Sequence, residues 1–178
     1  TLPYRSTVDP VLRAEIYRAY DVAAKILTPT SVARQVLLDE GVDPNKILTQ
    51  GMGVDTDRFQ PGPRNPELAK QLDITPNDFV FLFIGRLVVE KGIRDLVSAF
   101  QELVGKSGDR FMKLLLVGSG PEEEWIRSSI LSAGLQDRIL LAPPVPYHDV
   151  HRWHNLGDVF VYPSVPTAGA QEQFGYSV

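Results

Sequence analysis

Arg86 and Lys91 stand five residues apart in the stretch Gly85-Arg86-Leu87-Val88-Val89-Glu90-Lys91-Gly92. A guanidinium presents a planar fork to phosphate oxygens, and an ammonium presents a point charge. An apolar run, Phe79 to Ile84, precedes them. Ile93, Leu96, Val97, Phe100 and Leu103 follow at helical spacing. A loop that leaves a buried strand and opens a helix carries unpaired N–H groups, and the small Gly92 would let an anion approach them. Two solvated surface cations would satisfy the same spacing, so this loop alone leaves both readings open. A second loop runs from Pro163-Ser164 to Glu172-Gln173-Phe174-Gly175-Tyr176-Ser177. Gly175 could open another helix and offer further amides, or the stretch could be an ordinary loop with a solvated glutamate.

Three other groups invite chemistry and support it less well. His148, His151 and His154 recur every third residue. On a helix each such step turns the side chain by about −60°, so the rings fan out, whereas the usual helical zinc pair is spaced i, i+4. The expectation is no metal, with a surface face and His154 near the core edge. Gly118-Ser119-Gly120 has the start of a dinucleotide fingerprint but no third glycine. Glu122, Glu123 and Glu124 behind it would repel a pyrophosphate. Asp55-Thr56-Asp57 reads as turn chemistry rather than a metal triplet.

The elements that position these loops follow from apolar rhythm. Asp9-Pro10 is a cap followed by a proline, and Leu12, Ile16, Ala19 and Ala23 continue at helical spacing. Thr30 or Ser31 caps a second helix carrying Val32 and Val36, with Gly41 as a left-handed stop. Lys46 to Thr49 allows a short strand, and Gly51 to Pro66 reads as a connector. Four apolar runs then alternate with helices: 79–84, 114–117, 139–141 and 159–162. Unbroken apolar runs suit strands covered on both faces, and the alternation implies a parallel sheet. If the runs lie in the order third, second, first, fourth, the winding reverses between the first and the fourth. A crevice opens at such a switch point, with the Arg86–Lys91 loop and the Glu172 loop on its two sides.

Composition bounds the rest. The chain has 178 residues, 43% of them hydrophobic, enough for a packed core. Its net charge of −4 gives no footprint for nucleic acid. No apolar run is long enough to span a bilayer. There is no cysteine, which removes thiolate nucleophiles and disulfides and suits a reducing cytoplasm. The chain opens on Thr1-Leu2-Pro3-Tyr4 and stops at Ser177-Val178, so both ends are expected to be cuts in a longer protein.

Four motifs occur in order: Gly-Arg-Leu-x3-Lys-Gly, Val-Gly-x-Gly-Pro, Asp-Val-Phe-Val-x-Pro-Ser and Glu-x-Phe-Gly. With the turn Gly53-Val54-Asp55, they make nearly the whole chain resemble family 4 of the retaining glycosyltransferases, group 1, of GT-B fold. The resemblance implies an α/β Rossmann-like parallel sheet. This would be an incomplete C-terminal nucleotide-sugar-binding domain, preceded by the tail of the N-terminal domain. Residues 1–45 would be that acceptor-binding tail, 46–65 the linker and 66–178 the donor domain.

It implies metal-independent transfer of a sugar from a nucleoside-diphosphate sugar to an unidentified acceptor, with retention and no cofactor. Arg86 and Lys91 would bind the diphosphate and Glu172 the sugar hydroxyls. Gly85, Phe174 and Gly175 would contact donor sugar or phosphate. Gly118, Pro144 and Val145 would lie along the nucleobase, and Gly53 near the reaction centre. The second glutamate of the family's Glu-x7-Glu pair would fall beyond Val178. The full-length protein would be cytoplasmic, with peripheral membrane association left open. A sugar phosphorylase, a nucleotide-sugar epimerase and a non-catalytic nucleotide-sugar-binding module share the same cradle and stay as alternatives.

Overall fold

Pro10 starts the first helix, where its missing N–H costs nothing, and α1 runs over Pro10–Val22. The computed structural model describes residues 10–108 and 111–165. The chain divides into two units, Thr1–Asp55 and Thr56–Val178.

In the first unit, strand β1 (Ile26–Thr28) pairs in parallel with β2 (Ile47–Thr49), Ile26 opposite Ile47. Helix α2 (Ser31–Asp39) joins them. Its cap is Thr30, whose hydroxyl accepts from the Ala33 N–H at 3.0 Å. Gly41 follows the helix in the left-handed region, φ 85°. Leu37, Val42 and Ile47 form a small core with Tyr20, Ile26 and Leu38 packed against it. The buried position of α2 is thus Leu37, not the expected Val32, which is 68% exposed. Helix α1 buries none of its residues.

The second unit opens with α3 (Pro66–Gln71), capped by Asn65. Then come β3 (Phe79–Ile84), α4 (Ile93–Ser107), β4 (Met112–Val117), α5 (Glu123–Ala133), β5 (Ile139–Ala142), α6 (Val150–His154) and β6 (Val159–Phe160). Short 3₁₀ turns at Val89–Lys91 and Tyr147–Asp149 precede α4 and α6. The strands form one sheet in the order β5-β4-β3-β6, with every pair parallel. This is the third, second, first, fourth arrangement, so the winding reverses between β3 and β6.

Both faces are covered, as unbroken apolar strands require. Leu114 and Leu116 pack with Phe83, Ile93, Val97, Phe100 and Ile126 on the α4–α5 side. Leu115 and Val117 pack with Val80, Leu82, Ile84 and Leu156 on the other. Leu82, Phe83, Leu114, Leu115 and Leu116 expose nothing, and each such side chain contributes about 1.5–3 kcal/mol by leaving water.

The amino-terminal edge of the sheet is held by charge. The Asp158 carboxylate accepts the Val80 N–H at 2.7 Å and pairs with Arg64. Arg64 also donates to the carbonyls of Thr75 (3.1 Å) and Asp78 (2.7 Å). The aspartate of the Asp-Val-Phe-Val motif therefore ties β6 to the start of β3. A cleft of about 1000 Å³ lies at this edge, lined in part by Arg64, Ile74, Phe79 and Asp158. It is at the opposite strand ends from Arg86 and Lys91.

Among the described residues, no helix is long and apolar enough to cross a membrane.

Candidate functional site

Three loops leave the carboxyl ends of β3, β4 and β5 and are knitted together by backbone hydrogen bonds. The Gly85 N–H donates to the Val117 carbonyl at 3.0 Å, and the Gly118 N–H to the Ala142 carbonyl at 3.0 Å. Leu87, fully buried, donates its N–H to the Ser119 carbonyl (2.9 Å) and accepts from the Glu122 N–H (3.1 Å). Gly118 has φ 150°, and a Cβ there would lie 1.9 Å from the Gly85 carbonyl oxygen. Only glycine allows that approach. With Leu87 anchored as a plug, its neighbour Arg86 is left exposed on the rim.

Lys91 ends the 3₁₀ turn and is half-buried. Its Nζ donates to the Tyr162 hydroxyl at 2.9 Å and stands 5.0 Å from the centre of that ring. Gly92 follows at φ 65° and caps α4. A Cβ on it would lie 2.0 Å from the Pro163 carbonyl oxygen. The sequence reading gave that space to an incoming anion; the structure gives it to the backbone of Pro163. Two residues further along, the Val165 N–H donates to the Glu90 carbonyl at 3.0 Å. The segment after β6 is thus packed directly on the Lys91 turn.

Gly85, Arg86, Lys91, Gly118, Pro144 and Val145 therefore share one rim of the sheet. Pro144 is exposed and Val145 packs partly into the core cluster beneath. Gly53 is exposed in the first unit, with open space where a Cβ would stand. Glu172, Phe174 and Gly175 lie outside the described residues.

Two residues near the rim escaped sequence reasoning as a pair. Arg94, in the first turn of α4, donates to Glu122 through Nε at 2.5 Å and Nη2 at 3.3 Å, and lies 5.1 Å from the Trp125 ring centre. Its hydrogen bond to Glu122 raises the guanidinium pKa. Glu122, read as one of three repelling carboxylates, is buried and neutralised. Glu123 accepts the Gly120 N–H at 3.2 Å, closing the turn before α5. The pattern Gly-Pro-Glu carries a hint of this role, but its partner lies on another helix.

Two of the histidines pack against one phenylalanine. His154 lies 5.0 Å from Phe160 and 6.2 Å from Phe59, while the His151 ring lies 6.0 Å from Phe59. Burial lowers the His154 pKa. Among the described residues, no group of three or more His, Cys, Asp or Glu side chains could hold a metal ion.

Residues 64–178 match the family model described as Glycosyl transferases group 1. A GDP-mannose-dependent alpha-mannosyltransferase of Corynebacterium glutamicum is 32% identical over 118 residues, 66% of this chain and 26% of that protein. A 2-deoxystreptamine glucosyltransferase of Streptomyces kanamyceticus is 32% identical over 167 residues, 90% of this chain and 43% of its own length. The chain thus spans less than half the length of these curated relatives. Among solved structures, Anabaena Alr3699/HepE in complex with UDP matches with a TM-score of 0.72 and 20% identity. That match covers 93% of this chain and 44% of the other. A sucrose-phosphate synthase of Thermosynechococcus elongatus matches at 0.61 and 19%, over 92% of this chain and 41% of its own. These likenesses speak to the fold.

Proposed function

The chain belongs to the glycosyl transferases group 1 family, and on that premise we propose that residues 66–178 hold the donor for glycosyl transfer from a nucleoside-diphosphate sugar. Residues 1–45 are the tail of an acceptor-binding domain and 46–65 the linker. The observation that carries this reading is the placement of Arg86 and Lys91 on the loop that leaves the carboxyl end of β3, at the point where β3 and β6 part the winding.

Departure of the diphosphate builds negative charge. Arg86 meets it as a fork and Lys91 as a point charge, and a preorganised cation acts most strongly on charge that develops in the transition state. These two side chains supply the positive charge that a divalent metal would otherwise bring. Glu172 orients the sugar ring, while Phe174 and Gly175 contact sugar or phosphate. Gly118, Pro144 and Val145 lie along the nucleobase, and Gly53 lies near the reaction centre. The transfer retains anomeric configuration, as in family 4, and the acceptor is held by the remainder of the longer protein.

Calorimetric titration with UDP, GDP and ADP tests donor binding. One of the three binds, and Arg86→Ala weakens it; no binding of any overturns the reading. In the longer enzyme, release of free nucleoside diphosphate that depends on added acceptor separates a transferase from an epimerase or a binding module.

A further inference from the structure

Lys91 is held by Tyr162, just beyond β6 and 71 residues away in sequence. Its ammonium carries three donors, and one of them goes to the Tyr162 hydroxyl at 2.9 Å. The same Nζ lies 5.0 Å from the Tyr162 ring centre. A hydroxyl acceptor thus restrains one flexible side chain, whose free rotamers would otherwise have to be ordered by the ligand.

Tyr162 is itself fixed. Its ring stacks on Phe160, with centroids 6.3 Å apart and planes at 18°, and Phe160 packs on His154 at 5.0 Å. The Val161 N–H donates to the Leu82 carbonyl at 2.8 Å, which continues the pairing to the residue before Tyr162. Pro163 follows with its restricted φ. The Lys91 turn is pinned to the same segment at two further points, Gly92 against the Pro163 carbonyl and Val165 N–H to Glu90.

From this we infer that Tyr162 is a positioning residue for Lys91, presenting its ammonium in a set direction to the diphosphate of the donor. The inference rests on the donor-binding reading above. Tyr162 acts through Lys91 and makes no contact with the ligand itself. The hydroxyl aims the charge, and the stacked ring holds the hydroxyl in place.

The test is a double-mutant cycle on affinity for UDP and GDP, measured by calorimetry, with thermal denaturation of every variant. Lys91→Ala weakens the better-bound nucleotide by about tenfold or more, as expected for a lost charged contact. Tyr162→Phe keeps the ring, removes the acceptor and weakens binding by about threefold to tenfold. Tyr162→Leu removes the ring as well and weakens it at least as much, because the acceptor is lost in both. In the Lys91→Ala background, Tyr162→Phe changes affinity by less than about twofold, because its only route to the ligand is gone. The isosteric Phe variant carries the test if the Leu variant fails to fold. Equal losses from Tyr162→Phe in both backgrounds, or none in either, overturn the inference and leave the donor reading standing. Unchanged affinity in Lys91→Ala overturns the donor role of Lys91 itself, and the inference with it.

Discussion

The Cα of Gly92 abuts the carbonyl of Pro163, closely enough that a Cβ would stand 2.0 Å from that oxygen. The residue is also left-handed, at φ 65°. Gly92→Ala therefore meets two penalties, a left-handed backbone worth about 1–2 kcal/mol and a collision that pushes Pro163 away. Urea denaturation registers the loss of stability, and nucleotide affinity falls with it as the Lys91 turn shifts. An alanine variant as stable as the native protein would contradict this packing.

Lys91→Ala in the longer enzyme lowers the rate by about 10²–10³, or 2.7–4 kcal/mol, by analogy with other preorganised donors. The KM for a neutral acceptor changes little, because the cation acts on charge that forms at the leaving group. Lys91→Arg restores only part, since a guanidinium fork fits the Tyr162 hydroxyl and phosphate oxygens differently from an ammonium. Steady-state kinetics decide this, and a rate within about threefold of native returns Lys91 to the role of a surface cation.

Asp158→Ala separates structure from site. It orphans the Val80 N–H and takes the carboxylate from Arg64, which keeps the Thr75 and Asp78 carbonyls. The expected cost is about 1–3 kcal/mol of stability, the price of an unpaired group near the core. Nucleotide affinity measured on the folded fraction stays unchanged, because the strand ends carrying Arg86 are the far ones. Loss of affinity without loss of stability would show the motif aspartate to act at the site.

Acid should destabilise the protein in part through His154. Its folded pKa is depressed by burial below the ordinary 6.5. Between the two values the unfolded chain binds more protons than the folded one, so stability rises with pH through that window and is lost as pH falls. The loss begins near 6.5 and ends below the folded pKa, where both states are charged. His154→Phe, which keeps an aromatic ring against Phe59 and Phe160, flattens this slope. Chemical denaturation on either side of the window, for both proteins, checks it.

Chelation should leave donor turnover by the longer enzyme unchanged, because Arg86 and Lys91 supply the positive charge. Loss of activity with a chelator, restored by magnesium or manganese, would bring Asp55 and Asp57 back as ligands.

Much of the architecture was legible because its signals are local. The runs 79–84 and 114–117 read as buried strands because every residue is apolar, and the sheet covers them on both faces. The stop at Gly41 read correctly because left-handed backbone favours glycine wherever the helix lies. Helix α3 went unread: six residues are too few to show a period, although Asn65-Pro66 repeats the cap-and-proline signal seen before α1. The fourth run also proved shorter as a ladder, Val159–Phe160 alone, since pairing depends on the neighbour β3 as well as on apolarity.

The strand–loop–helix order and the two cations in the loop after β3 are local properties. They follow from burial period, glycine placement and side-chain charge, each carried by a few consecutive residues. The partners are set by tertiary contacts. Lys91 found Tyr162 71 positions away, Arg94 found Glu122 28 away, and Arg64 found Asp158 94 away. No local pattern encodes such pairs, because which loops meet is set by strand order. Placing β6 beside β3 brought Tyr162 and Pro163 onto the turn that ends at Gly92.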